Sequence, residues 1–237
     1  MKRENEIVVI LGKKGSGKTS FAWNELREKK RLVIFDFNRE YSGFYVVTNP
    51  EKLVELLTLN YEGAFQVAYQ PDAGRDLDDH FHHLSKALFC MQNLTFLCEE
   101  VDLVSSAGEM PEGLQKIINY GRHMGISLIA LSRRAHKVPR DLTANADRII
   151  SFAQFEPRDL RYLAEYMGED AARRVLKLVR NDTGADYLEW ENGDLSSGHI
   201  NFVDKSISGV YRIDTDLKAA PGADQEPEPE TLTQEKG

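Results

Sequence analysis

The chain has 237 residues, of which 41% are hydrophobic, and its formal net charge is −8 at pH 7. This length provides one sizeable core and is too short for two ordinary domains with a linker. The two cysteines exclude a disulfide framework, and no apolar run reaches the roughly 18 residues that a membrane helix needs. We therefore expect a cytoplasmic protein with no membrane segment of its own.

Predicted strands and helices alternate along most of the chain. The strand-type runs are short and apolar, whereas the helical stretches repeat apolar residues at spacings of three and four. The predicted strands are 6–11, 31–36, 64–70, 94–98, 126–132, 148–152 and a late strand at 185–193. The predicted helices are 18–29, 48–59, 77–91, 113–125, 157–167 and 169–180. The alternation predicts an α/β fold with a doubly wound, mostly parallel sheet, followed by C-terminal helices and a late strand or hairpin.

The C-terminal end differs in composition from the rest of the chain. Residues 214–237 contain seven acidic residues, two lysines and almost no large apolar side chain. Burial in such a segment cannot offset the entropy of ordering it, so we predict a folded domain at 1–213 and a disordered acidic tail at 214–237. Since the tail carries a net charge of −5, about −3 remains for the folded part, and the overall acidity does not indicate its ligands.

The segment GKKGSGKT, Gly12–Thr19, matches the pattern G-x-x-x-x-G-K-[ST] in full, between a predicted strand and a predicted helix. Its glycines let the backbone turn tightly, so that backbone N–H groups and the helix N-terminus can bind phosphate oxygens. We expect Lys18 to reach the β- and γ-phosphates of ATP, and the Thr19 hydroxyl to coordinate Mg²⁺. The predicted nucleotide-binding residues are Gly12, Lys13, Lys14, Gly15, Ser16, Gly17, Lys18, Thr19 and Ser20. The sheet is thereby predicted to be of the P-loop NTPase type.

Two adjacent acids, Glu99 and Glu100, follow the apolar strand at 94–98. Ligands of parallel α/β sheets bind at the carboxyl ends of the strands, so both acids should face the same crevice as the phosphate loop. Glu99 stands where such sites usually have a Mg²⁺-binding aspartate and is expected to hold the ion through water, with Asp102 as a substitute. Glu100 is the predicted general base for the attacking water, which favours hydrolysis over transfer to a small acceptor.

Further runs of the sequence carry a family resemblance. They are LVIFDFNREYSG after the second strand, FLCEE, YGRHMGISLIALSRRAHKVPRDLTANADRIISF and the following EPRDLRYLAEYMG. Together with the phosphate loop, they resemble the HerA/FtsK superfamily of ring-forming P-loop ATPases, which pump DNA or work in secretion. The resemblance covers about Ile7 to Met167, and its more discriminating parts are D-x-x-x-E-Y at Asp36–Tyr41 and G-R-x-x-G-I-S-L.

The resemblance implies roles for two arginines. The family has a nucleotide-sensing polar residue, usually glutamine, just past the strand that ends here at Ser132, and Arg133 stands at that place. Arg133 is therefore a candidate sensor of the γ-phosphate. Arg122 resembles the arginine that the family supplies to a neighbouring subunit's site, where a guanidinium stabilises the transition state. A helix C-terminal arginine favoured by the helix dipole is the alternative for Arg122.

The resemblance also implies partners. The short chain is similar in size to the genome-packaging ATPases of membrane-containing viruses with double-stranded DNA, which predicts a homo-oligomeric ring, expected to be a hexamer. Double-stranded DNA, bound without sequence preference, and a viral portal or capsid-vertex protein are the implied partners. Basic residues past Arg133 are expected to contact the DNA backbone or a neighbouring subunit, with a solvated turn as the alternative; they are Arg134, His136, Lys137 and Arg140. A nucleotide or metabolite kinase and a nucleotide-gated assembly or secretion factor remain open as other functions.

Overall fold

The described part of the chain contains one sheet of seven parallel and three antiparallel strands. The computed structural model describes residues 5–41, 43–72, 74, 76–105 and 110–213, so the predicted tail at 214–237 lies outside the described residues. The strands are β1 (Ile7–Leu11), β2 (Arg31–Phe35), β3 (Tyr45–Val47), β4 (Phe65–Tyr69), β5 (Leu94–Cys98), β6 (Ile126–Ser132), β7 (Arg148–Ser151), β8 (Gly184–Glu191), β9 (Asp194–Asn201) and β10 (Ile207–Ile213). Their order is β10-β9-β8-β7-β1-β6-β5-β2-β4-β3, and the first three in this order are the antiparallel ones.

Helices cover both faces of this sheet. They are α1 (Lys18–Leu26), α2 (Pro50–Leu59), α3 (Leu77–Met91), α4 (Val101–Val104), α5 (Glu112–Tyr120), α6 (Arg140–Ala144), α7 (Pro157–Met167) and α8 (Glu169–Val175). Successive residues of a strand point to opposite faces, so β1 contributes to two separate cores. Val9 belongs to the core that includes apolar residues of α2, α3, α5, α7 and α8, whereas Val8 and Ile10 belong to the core that includes α1 and the β8–β9 hairpin. The predicted doubly wound α/β fold is confirmed.

Several element boundaries differ from the prediction. The first helix ends at Leu26 rather than residue 29, since the polar residues 27–30 offer the core no apolar side chain. The last helix ends at Val175 rather than residue 180: the chain turns at 176–177, and Arg180 pairs with Ala185 of β8. Strand β3 was not predicted: it is a three-residue edge strand, and two of its residues are exposed.

The late strand is confirmed as the first arm of a hairpin. Its turn, Asn192–Gly193, has positive φ at both residues, the conformation that suits a two-residue connection between antiparallel strands. Strand β10 then pairs with β9 and extends the sheet beyond the predicted elements. This antiparallel extension lies beside β7, and the connection from β9 to β10 folds back onto α1 through Asn24, which donates to the Lys205 carbonyl.

No helix among the described residues is long and apolar enough to cross a membrane.

Candidate active site

The phosphate loop lies at the carboxyl ends of the central parallel strands. It leaves β1 at Gly12, whose N–H donates to the Ser132 carbonyl at the end of neighbouring β6 over 3.1 Å. It closes on itself through Ser16, whose N–H donates to the Lys13 carbonyl over 3.1 Å, and α1 begins at Lys18. The predicted order of strand, loop and helix is thus present, and it directs the helix N-terminus at the crevice.

Gly17 shows why the loop needs glycine. Its φ is 115°, and a Cβ there would lie 2.9 Å from the ring of Phe152 and 3.1 Å from that of Phe202. A larger residue would therefore combine backbone strain with a steric clash. The rings of Phe152 and Phe202 therefore leave room at this position of the loop only for glycine.

Lys18 is almost fully buried at the first turn of α1. Burial lowers the pKa of its amine, and the nearby Glu100 carboxylate opposes that shift. Its Nζ lies 3.4 Å from the Lys13 carbonyl, so the amine folds back over the loop. A buried cation with so weak a hydrogen bond is suited to binding an anion in the loop.

Glu40 joins the site, although the sequence assigned it no role. The Thr19 hydroxyl donates to Glu40 Oε2 over 2.9 Å. Buried Asp36, at the end of β2, positions this segment by accepting from the backbone N–H groups of Glu40 and Tyr41 over 2.8 and 3.2 Å. The available signal was the D-x-x-x-E-Y run, whose aspartate organises a turn that returns the glutamate to the crevice.

Glu99 is buried beside Glu40 at the end of β5, with 2% of its surface exposed. It accepts the N–H of Asn38 over 3.1 Å. Burial, helped by the carboxylates of Glu40 and Asp36, raises the pKa of Glu99 to about 8. Carboxylates close enough to oppose one another's ionisation, with the Thr19 hydroxyl bonded to one of them, fit a hard divalent cation such as Mg²⁺.

Glu100 is held in an unusual backbone conformation, with φ and ψ both at 50°. Its Oε1 accepts from Arg133 Nε over 2.7 Å and from Asn38 Nδ2 over 3.2 Å. The other oxygen, Oε2, is buried and has no hydrogen-bond partner among the described residues. Burial raises the pKa of Glu100, whereas Arg133 and Lys18 lower it. One carboxylate oxygen is thus fixed and the other is available to a ligand.

These groups share one cavity of about 330 Å³. Its lining brings together both acids, Arg133 and the predicted loop except Gly12, Lys13 and Ser16, and it adds residues from the C-terminal part of the chain. The lining residues are Lys14, Gly15, Gly17, Lys18, Thr19, Ser20, Glu40, Glu99, Glu100, Leu131, Arg133, Arg180 and Phe202. Asp102 lies just behind, where its carboxylate accepts the backbone N–H of Arg133 over 3.3 Å.

The basic residues that follow Arg133 bind acidic side chains of the same chain. Arg134 Nε and His136 Nδ1 contact buried Asp159 over 3.0 and 2.7 Å, and Arg140 pairs with Glu165 on α7 over 2.5 Å. Lys137 is exposed. The expected DNA or subunit contacts of this stretch therefore compete with intramolecular ion pairs at three of its four basic residues.

Arg122 lies just before β6, at the amino ends of the parallel strands and on the opposite side of the sheet's strand ends from the phosphate loop. It pairs with the buried Asp147 carboxylate and donates to the Asn145 carbonyl over 3.1 Å. Both partners lie within the three residues before β7, at the amino ends of the parallel strands and away from the phosphate loop. Arg122 thus does not belong to its own chain's cavity.

A complete phosphate loop at the carboxyl ends of a parallel sheet, with acids at the end of the second strand along from it, defines the fold and site of a P-loop NTPase. No family model and no curated protein matches the sequence. Among solved structures, the genome packaging NTPase B204 from Sulfolobus turreted icosahedral virus 2 in complex with AMPPCP aligns with a TM-score of 0.65 at 23% identity, over 88% of this chain and 98% of that chain.

Two further structures are similar to the same extent. The ATP-gammaS complex of that NTPase gives a TM-score of 0.64 at 22% identity, over 88% of this chain and 98% of that chain. B204, the DNA-packaging ATPase from Sulfolobus turreted icosahedral virus, gives 0.61 at 18% identity with the same coverage. These likenesses confirm the fold that the family resemblance implied.

Proposed function

We propose that the protein is a Mg²⁺-dependent ATPase whose subunits form a ring, expected to be a hexamer, that translocates double-stranded DNA in viral genome packaging. The observation that carries the catalytic part is Glu100, a buried carboxylate with one fixed and one unpartnered oxygen in the phosphate-loop cavity. Such an acid is suited to orienting a water molecule and accepting its proton. A kinase site needs no base for water, so Glu100 favours hydrolysis.

The phosphate loop and its neighbours divide the binding roles. The loop's N–H groups and Lys18 would hold the phosphates of ATP. Thr19, Glu99 and Glu40 would hold Mg²⁺, directly or through water, and the ion would neutralise charge on the β- and γ-phosphate oxygens. Because Mg²⁺ binds carboxylates, its arrival would ionise Glu99, whose pKa burial raises to about 8.

In this proposal Arg133 can bind either of two anions, the Glu100 carboxylate or the γ-phosphate of ATP. The Oε1 atom of Glu100 accepts from Arg133 Nε over 2.7 Å. The γ-phosphate would enter the same cavity and offer the guanidinium a second, more highly charged partner. We expect Arg133 to shift towards the phosphate, which would release Glu100 for water and make hydrolysis conditional on bound ATP.

Arg122 is proposed to act in a neighbouring subunit. It lies at the amino ends of the parallel strands, away from the phosphate-loop cavity of its own subunit. Its side chain is 40% exposed despite the pairing with Asp147. A guanidinium supplied across an interface would stabilise the charge that spreads over the γ-phosphoryl oxygens. This arrangement would make turnover depend on assembly.

The DNA-packaging part of the proposal is supported by the similar structures. The aligned proteins are described as a genome packaging NTPase and a DNA-packaging ATPase, and 98% of each is covered by this chain. Double-stranded DNA would be contacted through its phosphates, which gives binding without sequence preference and with strong salt dependence. A viral portal or capsid-vertex protein is the proposed docking partner.

The test is the ATPase rate per subunit as a function of protein concentration, with and without double-stranded DNA. We expect the rate to rise with concentration and to rise again with DNA. Glu100→Gln should bind ATP and not hydrolyse it, whereas Glu62→Gln, at an exposed position, serves as the matched control and should behave as the parent. Absence of hydrolysis with DNA present would contradict the proposal, and phosphate transfer to a small acceptor would support a kinase.

A further inference from the structure

Two residues that are distant in sequence from the phosphate loop line its cavity. Arg180 precedes the antiparallel extension of the sheet, and Phe202 follows β9. Both belong to the cavity wall together with Gly15, Gly17 and Ser20. Neither has a part in the hydrolysis proposed above.

Contacts connect this pair directly to the loop. Arg180 Nε donates to the Gly15 carbonyl over 2.6 Å. Its guanidinium carbon lies 5.6 Å from the centroid of the Phe202 ring, within the range of a cation–π interaction. The edge of that ring lies against Gly17, where a Cβ would come within 3.1 Å of Phe202 Cε1. The planar guanidinium of Arg180 and the aromatic ring of Phe202 thus lie next to the phosphate loop, at Gly15 and Gly17.

The backbone around Phe202 is also fixed relative to α1. Its N–H donates to the Thr183 carbonyl over 2.8 Å. Lys205 Nζ contacts the Phe202 carbonyl and donates to the Ser20 hydroxyl over 3.2 Å. These contacts place the Phe202 backbone beside the first turn of α1, with the ring next to Gly17.

We propose that Arg180 and Phe202 form a stacking platform for the nucleobase of the bound nucleotide. This inference rests on the proposed ATP binding, because phosphates held in the loop would place the sugar and base next to the cavity wall that Arg180 and Phe202 form. An aromatic ring and a guanidinium bind the π-face of a base and do not read its hydrogen-bonding edge. The platform should therefore favour purines over pyrimidines by their larger face, and should discriminate weakly between ATP and GTP.

The experiment compares ATP with inorganic tripolyphosphate, which has the phosphates without the base. Titration calorimetry with Mg²⁺ on the full chain should show Phe202→Leu weakening ATP about tenfold while tripolyphosphate changes less than about twofold. Phe202→Tyr keeps a ring and should retain parental ATP affinity. Tyr211→Leu is the matched control: it removes an exposed ring of β10, outside the cavity, and should change neither ligand.

The outcomes separate this inference from the function on which it rests. The platform is overturned if Phe202→Leu weakens the binding of ATP and tripolyphosphate equally, or weakens neither. It is also overturned if Phe202→Tyr loses as much ATP affinity as Phe202→Leu. Lys18→Met should weaken both ligands, and a parental affinity of that variant for ATP would overturn the proposed phosphate site instead. If the parental protein binds neither ATP nor tripolyphosphate, both the nucleobase platform and the proposed phosphate site are overturned.

Discussion

The ion pair between Arg133 and Glu100 allows a quantitative prediction from a double-mutant cycle. The variants are Arg133→Met, Glu100→Gln and the double substitution, each close in size to the parental side chain. Guanidinium and carboxylate charges centred about 4 Å apart attract by about 4 kcal/mol at an effective dielectric constant of about 20. Glu100 is 5% exposed but Arg133 is 34% exposed, so solvent screens part of this attraction. We expect a net coupling energy of about 1–2 kcal/mol, above the 0.2–1 kcal/mol typical of exposed pairs.

Equilibrium urea unfolding of the four proteins, without nucleotide and Mg²⁺, measures this coupling. A parallel cycle on Arg212 and Asp194 is the control: their atoms are 2.6 Å apart, but the side chains are 71% and 64% exposed. That pair should couple by less than about 0.5 kcal/mol. With saturating AMPPCP and Mg²⁺, the coupling of Arg133 to Glu100 should fall, because Arg133 is proposed to turn to the γ-phosphate.

Two results would refute the reasoning. A nucleotide-free coupling no larger than that of the exposed control pair would mean that Arg133 does not hold Glu100. A coupling that AMPPCP leaves unchanged would mean that Arg133 does not exchange partners, and the proposed dependence of Glu100 on bound nucleotide would be wrong.

Three further predictions concern the same site. Burial lowers the pKa of Lys18 from 10.5, so the charged amine destabilises the nucleotide-free fold, and this cost is lost as pH rises from the lowered folded value to 10.5. Lys18→Met should abolish turnover, because it removes the proposed phosphate ligand. It should also raise the Tm measured by calorimetry at pH 7, and this increase should disappear above pH 10.5; a lower Tm at pH 7 contradicts the argument. Thr19→Ala and Glu40→Gln should each raise the free Mg²⁺ needed for half-maximal ATPase activity about tenfold, and an unchanged requirement would exclude them as ligands. Arg122→Ala and Glu100→Gln should be inactive alone and regain activity when mixed under subunit exchange, whereas a mixture without activity argues against action in trans.

Much of the fold could be predicted from local patterns. The parallel strands are buried on both faces, so they appear in the sequence as short continuous apolar runs such as Ile7–Leu11 and Ile126–Ser132. Edge elements gave weaker signals: β3 is short and largely exposed, and β10 is mostly exposed as well. An edge strand forms because a neighbouring strand offers hydrogen bonds, and that neighbour cannot be identified from local sequence.

The sequence by itself determined the phosphate loop, because Gly12–Thr19 is one continuous segment whose glycines, lysine and threonine act through their order along the chain. It also placed Glu99 and Glu100 beside that loop, since both follow a strand whose end must face the crevice. Only the tertiary structure brought in Glu40, Arg180 and Phe202, which come from separate parts of the chain. Their contacts depend on turns, a hairpin and the order of strands in the sheet. For Arg180 and Phe202 those features arise from packing between distant segments, so no local pattern could reveal them, whereas the D-x-x-x-E-Y run was a local signal for Glu40.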